Sequence, residues 1–295
     1  MSEYVLSACS PADISYEHFE RIRVKCLYFN YTLGGKSCID DLGKSISYKD
    51  FYQAMRDGAD TKTSLISIDV YEEFFRSVLE SGKDIIHICL SSGLSGSYNS
   101  ARLAAEDLKA EFPDRKIYVV DSLAASGGFG LFVDALADMR DAGMTIDELY
   151  NWALENRLRV HHWFFSTDLS FYVKGGRISK AAGWFGTILK ICPLLNVDIN
   201  GKLIPREKIR GKSNVIKAIF NKMLENADNG KEYSGKCFIN HSDCYEDARA
   251  VADLVEEAIP ALKGKIVMNY IGSTIGAHSG PGTVALFFFG KERNN

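Results

Sequence analysis

The sequence predicts an α/β protein of two domains, residues 1–159 on a parallel sheet and residues 160–295 on an antiparallel or mixed sheet, with a ligand cleft between them. Three observations lead there. The chain has 295 residues, more than one small core needs. Its first half alternates short apolar runs with helical patterns, the signature of βαβ units. From about Val160 strand-like runs dominate and helices become fewer.

Taken in order, the branched run Ile85 to Leu90 is a buried strand, followed by a Gly/Ser loop from Ser91 to Tyr98 and a helical pattern from Asn99 to Phe112. Ile117 to Val120 is the next strand, ending at Asp121-Ser122. A long helix runs from Ala124 to Gly143 with Gly127, Gly128 and Gly130 near its start, and Thr145, Asp147 and Glu148 open another. An earlier helix, Asp69 to Leu79, follows the hydroxyl cluster Thr63, Ser64 and Ser67, with Ser67 placed as its cap. In the second half the strands are 162–167, 192–197, 202–210, 237–241, 266–270 and 283–289. Helices are expected at 216–227 and 246–259, the latter stopped by Pro260.

Composition excludes several classes. With 46% hydrophobic and 25% charged residues the chain is an ordinary globular protein, and a net charge of −3 gives no global field for nucleic acid or an anionic membrane. No apolar stretch approaches the ~20 residues of a membrane helix. Leu6-Ser7-Ala8-Cys9 has the form of a lipoprotein box, but no basic and apolar leader precedes it. Seven scattered cysteines point to reduced thiols and a cytoplasmic location. Cys237, His241 and Cys244 lack a fourth ligand at matching spacing, so no metal is expected.

The segments that carry chemistry are few. Ser91 to Tyr98 joins a buried strand to a helix start, where unpaired N–H groups and the helix dipole welcome an anion, and Ser92, Ser95 and Ser97 add hydroxyls. Neither Gly-Lys-Ser/Thr nor Gly-x-Gly-x-x-Gly is present and the loop has no lysine or arginine, so a monoanion such as a carboxylate suits it better than a triphosphate. Ile275 to Gly282 reads as a glycine-rich turn around His278 that lets backbone approach a ligand. Lys174 to Ile178 is a flexible turn ending in the Arg177 guanidinium, suited to a carboxylate or phosphate. The apolar stretch Ala181 to Leu195 reads either as core or as the lining of a tunnel for an acyl chain. Lys202, Arg206, Lys208, Arg210 and Lys212 occupy even positions and by period 2 share one face, as a docking surface or as a solvated edge strand. Gly93-Leu94-Ser95-Gly96 nearly forms a nucleophile elbow, broken by Ser97; a serine hydrolase would use Ser95 with His278 as base and an acid such as Asp121.

Thr63-Ser64-x-x-Ser67, Ser91 to Ala101, Val120-Asp121-Ser122, Lys174 to Ser179, Gly201 to Arg210 and His278 to Gly282, in this order, resemble the DegV family of bacterial fatty-acid-binding proteins. The resemblance implies two α/β domains with a long-chain fatty acid between them and no cofactor. It also implies that a separate ATP-dependent fatty acid kinase converts the presented carboxylate to an acyl-phosphate. By motif, Thr63, Ser64, Ser95 and Gly96 would hold the carboxylate and His278 would support them through hydrogen bonds. Arg177 and Arg210 match arginines near the partner kinase or its phosphate. A lipid-sensing regulatory module is the alternative that needs no kinase. Cys9-Ser10-Pro11-Ala12-Asp13 departs from the family's Asp-Ser-Thr/Ala-x-Asp, and the missing acid is expected to remove a buried charge near the site.

Overall fold

A computed structural model describes residues 4–179 and 191–294. The elements are β1 (Tyr4–Cys9), α1 (Tyr16–Arg21), β2 (Lys25–Leu27), β3 (Asn30–Leu33), β4 (Lys36–Ile39), α2 (Tyr48–Arg56), β5 (Thr61–Ser64), α3 (Ile68–Glu80), β6 (Asp84–Cys89), α4 (Ser97–Glu111), β7 (Ile117–Asp121), α5 (Ser126–Asp141) and α6 (Ile146–Asn156). They continue with β8 (Val160–Ser166), α7 (Ser170–Lys174), β9 (Ile191–Val197), β10 (Leu203–Arg210), α8 (Lys212–Asn226), β11 (Cys237–His241), α9 (Tyr245–Ala258), β12 (Val267–Tyr270), α10 (Ser273–Ser279) and β13 (Thr283–Phe289).

The α/β class is as the sequence predicts. β2, β1, β6 and β7 form a four-stranded sheet, parallel throughout. Leu6 and Ala8 of β1 and Ile85, Ile86 and Ile88 of β6 are wholly buried, as a parallel sheet covered on both faces requires. The second sheet, in the order β10-β9-β8-β13-β11-β12, is mixed, because β11 and β12 run parallel while its other pairings are antiparallel. The box Leu6 to Cys9 is the end of β1, with Cys9 buried.

Helix α5 joins the two sheets. Of its residues, Ser126 to Ala137 and Arg140 are buried, so it has no solvent face of the kind a surface helix shows. It packs on β8, β11 and β13. Gly128 lies against the His162 ring and Phe287, Gly127 against Asn240 and Phe287, and Gly130 against the Ala12 carbonyl. A Cβ at Gly127 or Gly128 would overlap these atoms, so Gly128→Ala is expected to lower thermal stability by about 1–3 kcal/mol of overpacking. A melting temperature equal to that of the parent chain would show that the helix can shift.

A third, antiparallel sheet in the order β4-β3-β5 was not expected from the sequence. Its strands are short, and with Thr, Ser and Lys at most positions they lack the apolar alternation that marks a strand. This sheet packs on α10, which brings residues around 61–64 against residues around 278. α10 itself replaces the first half of the expected glycine-rich turn. Gly276 and Gly280 close backbone bonds to Gly272 and Gly276, and Gly276 lies against Phe51 and Tyr52, so the glycine serves a close helix contact. Gly280 (φ +67°) and Gly282 (φ +86°) then make the turn into β13.

Two further expectations change. Ser67 stands at the N-cap of α3 without a side-chain cap bond, and Ser97 Oγ instead accepts the Ile66 N–H at 3.2 Å. The five-residue basic face is broken by a register shift between Pro205 and Glu207. Arg206 there turns its Nε to Asn196 Oδ1 at 2.8 Å, and Lys212 pairs with Asp247 at 2.8 Å from the first turn of α8. Lys208 and Arg210 stay exposed on β10, an edge strand.

Candidate ligand-binding site

Between the parallel sheet and the mixed sheet lies a cavity of about 470 Å³. One wall is the face of β8 and β13 that carries His162 and Phe164 opposite Phe287 and Ala285, with Thr283 next along β13. These alternate along each strand, so period 2 put them on one side. Phe29, Leu90, Leu94, Val197, Leu203, Ile271 and Ile275 complete a mostly apolar lining. Of the apolar stretch Ala181 to Leu195, residues 181–190 lie outside the described residues, and Leu194 and Leu195 are buried.

Six of the seven residues that the family resemblance assigns to ligand or partner line this one cavity: Thr63, Ser64, Ser95, Gly96, Arg177 and His278. Arg210 does not. His278 Nε2 and Thr63 Oγ1 are 2.8 Å apart, and Arg177 Nη1 approaches His278 Nδ1 at 3.4 Å. A guanidinium only donates, so Nδ1 is the acceptor, the imidazole proton sits on Nε2, and Nε2–H donates to Thr63 Oγ1. The Thr63 hydroxyl proton is thereby left for a ligand. Burial, and then the Arg177 charge, holds His278 down to about 4, so the ring is neutral at physiological pH. Arg177 is fixed by donating to the Leu94 carbonyl through Nε and Nη2 (3.3 and 3.2 Å) and to the Gly175 carbonyl (2.5 Å). It is the only charged side chain among the described lining residues.

The serine loop offers fewer free donors than its sequence suggests. Ser92 N–H donates to Asp121 Oδ1, Gly93 N–H to Ser91 Oγ, Leu94 and Ser95 N–H to the Ser91 carbonyl, and Ser97 N–H to Ser95 Oγ. Within 92–97, Gly96 N–H alone finds no acceptor among the described residues. Ser95 Oγ donates to Ser97 Oγ at 3.2 Å. These bonds also dissolve the hydrolase geometry. Ser95 pairs with Ser97, His278 with Thr63 and Arg177, and Asp121 takes the N–H groups of Ser92 and Leu123, so no nucleophile–base–acid chain links the three.

Sequence reasoning missed the deeper polar wall: Ser126, His162, Tyr172, Thr274 and Thr283. His162 takes the Ala125 N–H on Nε2 and donates from Nδ1 to the Val160 carbonyl, so both nitrogens are satisfied and burial keeps the ring neutral. Ser126 donates to Asp13 Oδ2 at 2.5 Å and Thr274 to Asp40 Oδ2 at 2.6 Å. The every-second-residue spacing of a strand places His162 with Phe164 and Thr283 with Ala285, but both strands are buried on both faces, and nothing local marks Ser126 or Thr274. Cys9, in contrast, does not line the cavity. Its Sγ lies 3.5 Å from both Tyr71 Oη and His87 Nε2, so the family departure alters a buried cluster behind the sheet and leaves the lining unchanged. Cys244 N–H caps His241 Nδ1 at 3.3 Å, and no cluster of three metal-ligating groups occurs among the described residues.

The buried imidazoles set a pH dependence. Burial lowers His87 to about 3 and His161 to about 4, and it also lowers His162 and His241. Below pH 6.5 the unfolded chain takes up protons that these rings and His278 refuse in the fold, so stability falls as pH drops from 6.5 toward 4. Asp13 and Asp40, raised by burial, act in the opposite sense, but five imidazoles outnumber two carboxyls. A ring excluded down to pH 4 contributes on the order of 2 kcal/mol of this loss at pH 5. The melting temperature is expected to drop by several degrees between pH 7 and 5, and a flat profile would contradict the assignment.

Fold and cavity together define an α/β architecture in which a parallel and a mixed sheet enclose a pocket with a single charged group. The family model described as "Uncharacterised protein, DegV family" matches residues 9–291, and the chain belongs to the DegV family. A DegV domain-containing protein of Clostridium perfringens is 34% identical over 99% of both chains. A protein of Thermotoga maritima named fatty acid-binding protein is 32% identical over 82% of this chain and 81% of its own. Among solved structures, a DegV lipid-binding protein of Thermotoga maritima superposes with a TM-score of 0.84 at 28% identity, covering 100% of both chains. A second Thermotoga maritima structure, described as revealing fatty acid binding function, gives 0.83 at 27% identity, covering 98% of this chain and 100% of that one. No helix among the described residues is long and apolar enough to cross a membrane.

Proposed function

We propose that the protein is a carrier for one long-chain fatty acid. The acyl chain lies in the apolar cavity, and the carboxylate meets Thr63, Ser64, Ser95 and the Gly96 N–H. The observation that carries this reading is the Arg177–His278–Thr63 chain in a cavity whose lining is otherwise neutral, with apolar side chains beside hydroxyls and the His162 ring. That chain supplies one fixed positive charge and a free hydroxyl proton, which match a single carboxylate better than a phosphate cluster. Burying the chain contributes about 0.8 kcal/mol per CH₂, enough to retain the ligand through purification. The relatives named for fatty acid and lipid binding support the reading.

In this reading a separate ATP-dependent kinase performs the chemistry, and the carrier presents the carboxylate for acyl-phosphate formation. Arg177 stands beside the carboxylate, where it can also meet the incoming phosphate, and exposed Arg210 on β10 faces the kinase. The test is native mass spectrometry of the purified protein, followed by mass spectrometry of its organic extract. One fatty acid at near-equal stoichiometry is expected; an empty protein, or a bound molecule with no long acyl tail, overturns the carrier reading. For the kinase half, Arg210→Ala should spare lipid binding and slow acyl-phosphate formation, and equal loss of both would sink that division of roles.

A further inference from the structure

A second cavity, of about 410 Å³, opens at the end of β12 beside the first turn of α1. The fatty-acid reading makes no use of it. Four phenol rings line it: Tyr16, Tyr48, Tyr245 and Tyr270, together with the His241 ring. Four of the five rings pack in a row, with Tyr48 and Tyr270 centroids 5.4 Å apart, His241 and Tyr270 4.5 Å, and His241 and Tyr245 5.8 Å, and Tyr16 lines the same cavity under Lys44. Tyr245 is 52% exposed, which is unusual for so large an aromatic side chain with neighbours of its own kind.

Glu17 and Lys44 are its charged, exposed rim, one acid and one base, and Asp13, which burial holds toward its neutral form, lies in its floor. The Lys44 ammonium already sits 3.0 Å from the centroid of the Tyr16 ring. An ammonium thus occupies the face of one cage ring, held by the negative face of the π-system and with a carboxylate side chain in the same rim. Lys44 is exposed and carried by a flexible stem, so an incoming cation can displace it.

We propose that this cavity is an aromatic cage for an alkylammonium group, with Lys44 as its internal occupant. The same group is presented by a free amine such as choline and by a choline-type lipid headgroup. The test titrates the intact protein with tetramethylammonium and choline, read by calorimetry and by tyrosine fluorescence. The neutral isostere 3,3-dimethyl-1-butanol is titrated beside them. Choline is expected to bind with a dissociation constant of about 10–100 mM, the range that two or three partly exposed cation–π contacts supply, and the isostere much more weakly. Lys44→Ala should tighten choline binding about tenfold by removing the competitor, and Tyr245→Leu, at an exposed position that folding tolerates, should weaken it. Tighter binding of glycerophosphocholine than of choline identifies the headgroup as the source, and the reverse identifies the free amine. Equal binding of choline and its isostere, or no binding by either the parent protein or Lys44→Ala, overturns the proposal.

Discussion

Replacing Thr63 by valine is expected to weaken fatty-acid binding roughly 10–100-fold and to lower the melting temperature of the ligand-free protein by only a few degrees. Valine keeps the shape of threonine and removes only the hydroxyl. In the parent protein that hydroxyl accepts the His278 Nε2 proton at 2.8 Å, which leaves its own proton free for a ligand. A hydrogen bond to a charged group contributes about 1.5–3 kcal/mol, and each 1.4 kcal/mol is a factor of ten in affinity. Valine also leaves the His278 N–H without its acceptor, which adds to the loss in the closed complex. Displacement of a fluorescent fatty acid measures the effect. Unchanged affinity would place the carboxylate away from Thr63 and, with it, away from the Arg177–His278 chain.

Arg293→Ala is expected to lower stability by about 3–5 kcal/mol, although the residue lies near the end of the chain and far from any motif. Its side chain is 4% exposed, and its guanidinium reaches carbonyls from three separate segments. Nη2 donates to the Leu123 carbonyl at 2.9 Å, just after β7. Nε donates to Leu158 at 3.3 Å, before β8, and Nη1 to Val197 and Asp198 at 3.1 Å, at the end of β9. Burial brings its pKa down to about 10, so the cation persists at neutral pH, and it ties the exit of the parallel sheet to the mixed sheet. Alanine would strand the Leu123 and Val197 carbonyls, whereas Leu158 keeps the backbone N–H of residue 293 and Asp198 that of Gly201. At roughly 2–4 °C per kcal/mol for a chain of this size, the melting temperature should fall by about 6–20 °C. Arg293→Lys should recover only part of this, because a point ammonium lacks the planar fork. A melt unchanged by alanine would show that water replaces the guanidinium without penalty.

Much of the architecture was legible in local sequence. The branched run around Ile85–Ile88, the strand-like runs at 162–167 and 283–289, and the capping residues Thr145 and Glu148 each encode their element within a few residues, and the structure has strands and a helix there. The small sheet β4-β3-β5 was not legible. Its short polar strands acquire their form from each other and from α10, a tertiary effect that no window of sequence contains. The bulge at Arg206 likewise escaped a strict period of two, because one inserted residue re-aims every side chain after it.

The candidate site divides in the same way. The sequence by itself determined the chemistry available: a serine-rich strand-to-helix loop, a hydroxyl pair at Thr63 and Ser64, one histidine among glycines, and an arginine after a Gly-Gly turn. The tertiary structure alone decided what these groups do. It spends most of the loop's N–H donors on Ser91, Ser95 and Asp121, separates Ser95 from His278 as a catalytic pair, and orients the imidazole so that the Thr63 hydroxyl accepts and keeps its own proton free. It also assembles the deep wall from Ser126, His162, Tyr172 and Thr283, residues far apart in the chain. The reason is physical: residue type fixes which donors and charges exist, whereas hydrogen-bond direction and burial depend on partners that only the packed fold brings within 3 Å or so.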